Sequence, residues 1–281
     1  MRQIINISIE YIIYFILYFL ALLPIYPQYT ILSLINYFVK YRNEIILKNI
    51  NIVFPLKNKE EKMILHKKFY SSLYTIIIEI IKSIHFNQEE ITKRVQIDNE
   101  SHIKQILKQK KSFILIASHY GNWEWLLLRL SLIKDKKIIA VYKPLSNKYL
   151  NKVIVKIRQK FNATLIPIDE WNNFILKNRN RDYIYFLVSD QNPNIANKNV
   201  QTLFFNKKTH FNNGPEKMHR LLRSEVFYID MKQQKFGYYN VSLKKITNTD
   251  ITKTYASLLE TTIKRKPALW LWSHNRWKKN E

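Results

Sequence analysis

A histidine and a glutamate five positions apart, His119 and Glu124, lie in the stretch Ser118-His119-Tyr120-Gly121-Asn122-Trp123-Glu124. A carboxylate on one imidazole nitrogen fixes the tautomer and makes the other nitrogen a better proton acceptor. Such a pair can take the proton of a hydroxyl as its oxygen attacks an acyl carbon. Along an unbroken helix, five residues turn through about 500° and leave the two side chains about 140° apart. They cooperate only if a helix starts between them. Gly121, one of three glycines in 281 residues, can take a positive φ, and Asn122 is a good helix N-cap. Glu124 then falls in the first turn and can fold back toward the ring of His119. On these residues alone a plainer alternative stays open: a strand-end histidine with a satisfied ring, and a glutamate that complements the helix dipole.

The elements that must position this pair are readable as texture. The apolar run Phe113-Ile114-Leu115-Ile116-Ala117 predicts a strand entering the turn, and Trp125-Leu126-Leu127-Leu128 a helix leaving it. Further strands are expected at 137–142, 163–168, 183–189, 225–232 and 236–246. Helices are expected at 123–133, 148–161, 171–178, 215–222 and 250–264. Alternation of this kind predicts an α/β fold with a mostly parallel central sheet flanked by helices and a more antiparallel end. Upstream, apolar residues at helical spacing mark helices over 41–54, stopped by Pro55, and over 59–84. The expected division is an apolar helical segment over 1–40 and a domain over 41–281, itself helical over 41–110 and α/β over 111–281.

Residues 11–27 carry no charge, and the uncharged run continues through position 39. A bilayer helix needs roughly 20 apolar residues, and the tract approaches that length if it begins near Ile7 and tolerates Glu10. Pro24 and Pro27 would end or kink it. The expectation is a retained membrane-associated N-terminal helix, spanning or deeply embedded, rather than a cleaved signal peptide, with a buried or interfacial hairpin as the alternative.

Forty-six basic against 21 acidic residues give a formal charge of +25, which favours nucleic acid, an anionic membrane surface or an acidic carrier protein as partner. No zinc-finger spacing, dinucleotide fingerprint or phosphate-binding glycine loop accompanies the charge, so nucleic acid is not expected. The absence of cysteine removes thiolate nucleophiles and cysteine metal sites. A hydrophobic content of 47% supports a full core. Neither a cofactor nor a metal is expected, because His210 and His219 show no ligand spacing.

Lys143, Arg158 and Asp190 each border a predicted strand or helix where an α/β enzyme presents its site. Arg158 can hold an anionic group of a substrate, and Asp190 can bind that arginine. Gly214-Pro215 opens a predicted helix whose N-terminus can receive an anion. Surface or turn roles remain open for each of them. The terminal tryptophans Trp270, Trp272 and Trp277 read as packing residues.

Taken in order, several segments resemble one family. His119 through Glu124 is similar to the histidine, four residues, acidic residue motif of glycerolipid acyltransferases. Arg42-Asn43 through Phe54-Pro55, Val141-Tyr142-Lys143-Pro144, Arg158, Asp190-Gln191, Phe204-Phe205, Gly214-Pro215 and residues 267–278, PALWLWSHNRWK, resemble the late acyltransferases of lipid A biosynthesis. The chain has Asn206 where that family has glycine and Lys143 where it has arginine. The resemblance implies transfer of a fatty acyl group from an acyl carrier protein thioester to a hydroxyl of a lipid A precursor. It implies His119 as general base oriented by Glu124, with Asn122, Lys143, Arg158, Asp190 and Gly214 binding substrate, and backbone N–H groups near Gly121 and Asn122 facing the oxyanion. It also implies a membrane lipid acceptor and placement at the inner (cytoplasmic) membrane, with the catalytic domain facing the cytoplasm. Acylation of another glycolipid or an amino-acid lipid is the alternative within this chemistry, and a non-catalytic peripheral membrane-binding protein is the alternative outside it.

Overall fold

The computed structural model describes residues 2–193 and 199–278, with side chains from residue 9 onward. In chain order the helices are α1 (Arg2–Leu22), α2 (Ile25–Val39), α3 (Asn43–Val53), α4 (Lys59–Lys82), α5 (Gln88–Arg94), α6 (Glu100–Leu107), α7 (Trp123–Leu130), α8 (Lys148–Arg158), α9 (Trp171–Lys177), α10 (Gly214–Leu222) and α11 (Ile251–Arg265). The strands are β1 (Val95–Ile97), β2 (Phe113–Ala117), β3 (Ile138–Tyr142), β4 (Thr164–Pro167), β5 (Ile184–Val188), β6 (Asn199–Phe204), β7 (Lys207–Asn212), β8 (Glu225–Lys235) and β9 (Tyr238–Ile246). Asparagine, abundant in this chain, starts several helices: Asn58, Asn87, Asn122 and Asn147 each accept a backbone N–H through the side chain.

Seven strands form one sheet in the order β1-β9-β8-β2-β5-β3-β4, and β6 and β7 form a separate hairpin. Every pairing in the large sheet is parallel except β8 with β9, so the mostly parallel sheet with an antiparallel end is present as expected. Strand β2 lies between β5 and β8 and is buried at all five positions. A strand covered on both faces loses the alternation of polar and apolar residues, which explains the unbroken run FILIA. Its side chains still alternate in direction. Ile114 and Ile116 enter one core with α3, α4, α11 and the terminal tryptophans, while Phe113, Leu115 and Ala117 enter another with α7, Ile91 and Phe227.

The N-terminal segment differs from its expectation. No helix among the described residues is long and apolar enough to cross a membrane. The uncharged part of α1 covers residues 11–22, about 18 Å of rise against the roughly 30 Å of a hydrocarbon core. Pro24 then breaks the apolar run by standing as the N-cap of α2. The membrane-spanning helix expected here, and the integral inner-membrane placement that rested on it, are therefore overturned by the element lengths. Instead, Ile13, Tyr14 and Leu17 of α1 pack with Ile80, Val153 and Ile157 of α4 and α8. Glu10 pairs with Lys152 at 2.6 Å, and Lys82 donates to the carbonyls of Ala21 and Leu23 at the end of α1.

Candidate active site

Strands β2 and β5 are parallel neighbours with Ala117 opposite Val188. Two residues beyond each strand end stand His119 and Asp190, and the shared register puts them side by side. Asp190 Oδ1 lies 2.7 Å from His119 Nδ1, and Asp190 Oδ2 accepts from the His119 backbone N–H (3.1 Å) and from the Trp270 indole N–H (2.8 Å). Burial works to raise the Asp190 pKa, but the imidazole charge and these hydrogen bonds outweigh it and hold the carboxyl below its ordinary value. An ionised carboxylate only accepts, so Nδ1 carries a hydrogen, and whenever the ring is neutral Nε2 is the nitrogen with the lone pair. The His119 side chain is 19% exposed, against 3% for Asp190. Gln191 Nε2 stands 3.4 Å from Nε2, and the Trp123 ring meets the imidazole edge-on at a centroid distance of 4.9 Å.

The carboxylate that orients the histidine is thus Asp190, where the sequence suggested Glu124. Helix α7 does start at Trp123 with Asn122 as N-cap. Glu124, buried in its first turn, faces α8 instead: its oxygens accept from Arg158 Nε (2.7 Å) and Nη2 (2.6 Å) and from the Trp123 indole N–H (3.1 Å). A planar guanidinium matches a carboxylate with two parallel bonds, a better partner for a buried charge than a single imidazole. Burial pushes the Glu124 pKa upward, yet the Arg158 charge and hydrogen bonds hold it below the ordinary range. The expected partners are exchanged: Asp190 takes the imidazole and Glu124 takes the arginine. Removing Glu124 would leave Arg158 buried without a counter-charge, so Glu124→Ala is expected to destabilise the fold by about 3–5 kcal/mol in urea unfolding.

Both carboxyls have depressed pKa values in the folded state. Their contribution to stability is complete above the unfolded carboxylate range of about 4 and is lost as pH falls through the folded values. The urea midpoint is expected to drop steeply below about pH 4, and an unchanged midpoint at pH 3 would contradict this electrostatic account.

Gly121 adopts φ +63°, and a Cβ there would meet Met231 Sδ at 3.0 Å. A side chain there would be strained by the backbone conformation and would require Met231 to shift by a few tenths of an ångström. The Gly121 N–H donates to the Leu269 carbonyl (3.1 Å), so that amide, expected to face an oxyanion, is engaged by the chain itself. Leu271 N–H donates to the His119 carbonyl (2.9 Å), and Tyr120 bridges to Trp270. Residues 267–272 therefore line the back of the turn. The same segment grips the loop after Asp190: Asn192 N–H donates to His274 Nε2 (3.1 Å), and Arg276 Nη1 donates to Asn192 Oδ1 (2.6 Å). Burial pushes the His274 pKa down to about 4, consistent with a neutral acceptor ring.

Of the other expected substrate-binding residues, Arg158 reaches the turn after His119 through Glu124, and Lys143 is exposed just past the end of β3, a parallel neighbour of β5. Asn122 is wholly buried; its amide donates to Glu79 (2.8 Å) and its carbonyl accepts from Trp125 N–H (2.9 Å), so its side chain points away from solvent. Gly214 does open α10, but its N–H donates to Asn212 Oδ1 at 2.7 Å, which caps that end from within the chain. Among the described residues no cluster of acidic residues, histidines or cysteines could hold a metal ion. Trp270, Gln191 and Glu79 belong to the site's surroundings and were not singled out by spacing. Asp190-Gln191 and the tryptophan-rich tail were visible as segments, but not their meeting.

A profile of bacterial lipid A biosynthesis acyltransferases matches residues 2–279, nearly the whole chain. The chain belongs to the lipid A biosynthesis acyltransferase family. It is 20% identical over 248 residues to the lipid A biosynthesis palmitoleoyltransferase of Escherichia coli (strain K12), covering 86% of this chain and 80% of that protein. The lipid A biosynthesis acyltransferase of Shigella flexneri is similar to the same extent. As a member of this family the chain is an acyltransferase of lipid A and lipopolysaccharide biosynthesis.

Proposed function

We propose that this acyltransferase moves a fatty acyl group from an acyl carrier protein thioester to a hydroxyl of a lipid A precursor. The observation that carries the reading is the 2.7 Å contact between Asp190 and His119 Nδ1, which leaves Nε2 as the base on a partly exposed ring. Nε2 takes the hydroxyl proton as the oxygen attacks the thioester carbonyl. A carbon–oxygen bond forms, the carbon–sulfur bond breaks, and the imidazolium returns its proton to the departing thiolate. No acyl-enzyme is needed, in keeping with a chain that has no cysteine. The Gln191 amide, 3.4 Å from Nε2, marks where the substrate hydroxyl would enter. Glu124 and Arg158 brace the turn from the opposite side, and Arg158 and Lys143 offer positive charge to an anionic acceptor. The formal charge of +25 suits docking of an acidic carrier protein.

Purified protein incubated with acyl carrier protein thioesters and separate lipid acceptors tests the reading by mass spectrometry. A mass gain of one acyl group on a lipid A precursor is the expected product. Gain only on another glycolipid or an amino-acid lipid would reassign the acceptor, and no gain on any acceptor would overturn the transfer itself.

A further inference from the structure

Behind the catalytic turn lies a buried carboxylate that the transfer chemistry does not use. Glu79 of α4 is 1% exposed. Its Oε2 accepts from Asn122 Nδ2 (2.8 Å) and from the Tyr239 hydroxyl (2.7 Å), and its Oε1 accepts from the Gly237 N–H (3.0 Å). Its backbone carbonyl accepts the Trp125 indole N–H at 3.0 Å. One residue thereby joins α4, the start of α7 and the turn between β8 and β9.

From this geometry we infer that Glu79 is a positioning residue for acyl transfer, acting through Asn122 to fix the turn that carries His119 and Glu124. The inference rests on the functional reading above.

The logic is one of donors and acceptors. An amide side chain has one accepting and one donating end, and Asn122 is pinned at both. Glu79 can only accept while ionised, so it draws the Asn122 nitrogen to itself and turns the oxygen toward the Trp125 N–H. That oxygen is the N-cap of α7. The cap fixes where the helix begins, two residues before Glu124 and three after His119. The other charged group facing Glu79 is Arg94 of α5, which donates to the Gly237 carbonyl (3.2 Å) and pairs with Glu90. Burial pushes the Glu79 pKa up to about 7, while hydrogen bonds from Tyr239, Asn122 and Gly237 and the charge of Arg94 oppose the rise. A group buried at that cost and ringed by donors serves the orientation of its partners.

The test exchanges the donor and acceptor between the two side chains. Glu79→Gln is expected to set its amide nitrogen at the Oε2 position, where the Tyr239 hydroxyl can turn to accept from it while the oxygen keeps the Gly237 N–H, so the bond that fails is the one from Asn122 Nδ2. It is expected to lower kcat about ten- to hundredfold, with KM within about twofold, and to speed deuterium exchange over residues 119–126. Adding Asn122→Asp restores the complement: the new amide donates to the new carboxylate, whose other oxygen still caps α7. The double variant is expected to recover both kcat and slow exchange, while Asn122→Asp alone, with two carboxylates in contact, is not. A double variant no better than Glu79→Gln overturns the inference, as does Glu79→Gln with unchanged kcat. If Glu79→Gln fails to fold, recovery of folding and kcat in the double variant supports the inference, and failure to recover them overturns it. Wild-type protein that transfers no acyl group to any acceptor would refute the functional reading, and this inference with it; the exchange data would then still report whether Glu79 sets the turn.

Discussion

His119→Ala is expected to lower kcat by about 10²- to 10⁴-fold, the usual contribution of a positioned general base. The ring is partly exposed beyond the C-terminal end of β2, and its main anchor, Asp190, keeps the Trp270 hydrogen bond without it. The fold should therefore survive, with an unfolding midpoint close to that of the wild type. Single-turnover transfer from a labelled carrier protein thioester measures the effect. Activity within a few-fold of wild type, in a folded variant, would remove His119 from the reaction.

Asp190→Asn is expected to come close to the loss in His119→Ala, on the order of 10³- to 10⁴-fold in kcat. Three donors converge on the carboxylate: the His119 ring, the His119 backbone N–H and the Trp270 indole. An asparagine nitrogen at the Oδ2 position would oppose two of them; at the Oδ1 position it opposes only the ring, which can answer by changing tautomer. The hydrogen then moves to Nε2, and the base is lost. Glu124→Gln leaves the tautomer alone and keeps part of the Arg158 contact, so its loss of kcat should be smaller. Combining His119→Ala with Asp190→Asn should cost little more than either change, since the aspartate acts through the ring. Additive losses, or a larger effect at Glu124 than at Asp190, would return the orienting role to Glu124.

The difference between Asp190 and Glu124 shows where the sequence stops being legible. Strand β2, the turn and α7 are local, and apolar runs, Gly121 and Asn122 marked them. The large sheet strands β2–β5, β8 and β9 were readable because each is a compact apolar or alternating run. The three-residue strand β1 is too short to show a period, and the β6–β7 hairpin interleaves Asn, Gln, Lys and Thr with its apolar residues. Helices α5 and α6 were missed for the same lack of a long stripe. The partner of His119 lies 71 residues away and is delivered by strand register, which nothing in a local pattern encodes. Glu124 had the right chemistry at the right distance along the chain, and only the bidentate fit of Arg158 diverted it. At the N-terminus, the uncharged tract suggested a bilayer helix if Glu10 were tolerated, but the apolar part of α1 is too short to span one and Pro24 hands the rest of the tract to α2.

The hydrogen bonds from the Gly121 N–H to the Leu269 carbonyl and from the Trp270 indole to Asp190 impose an order on biosynthesis. The histidine leaves the ribosome roughly 150 residues before the tryptophan that steadies its aspartate. At bacterial elongation rates that interval is on the order of 10 s. Throughout it, the nascent chain carries His119 without the segment that backs its turn. A polypeptide that ends before Trp270 lacks the indole contact to Asp190 and is expected to hold the His119 ring less firmly than the finished chain.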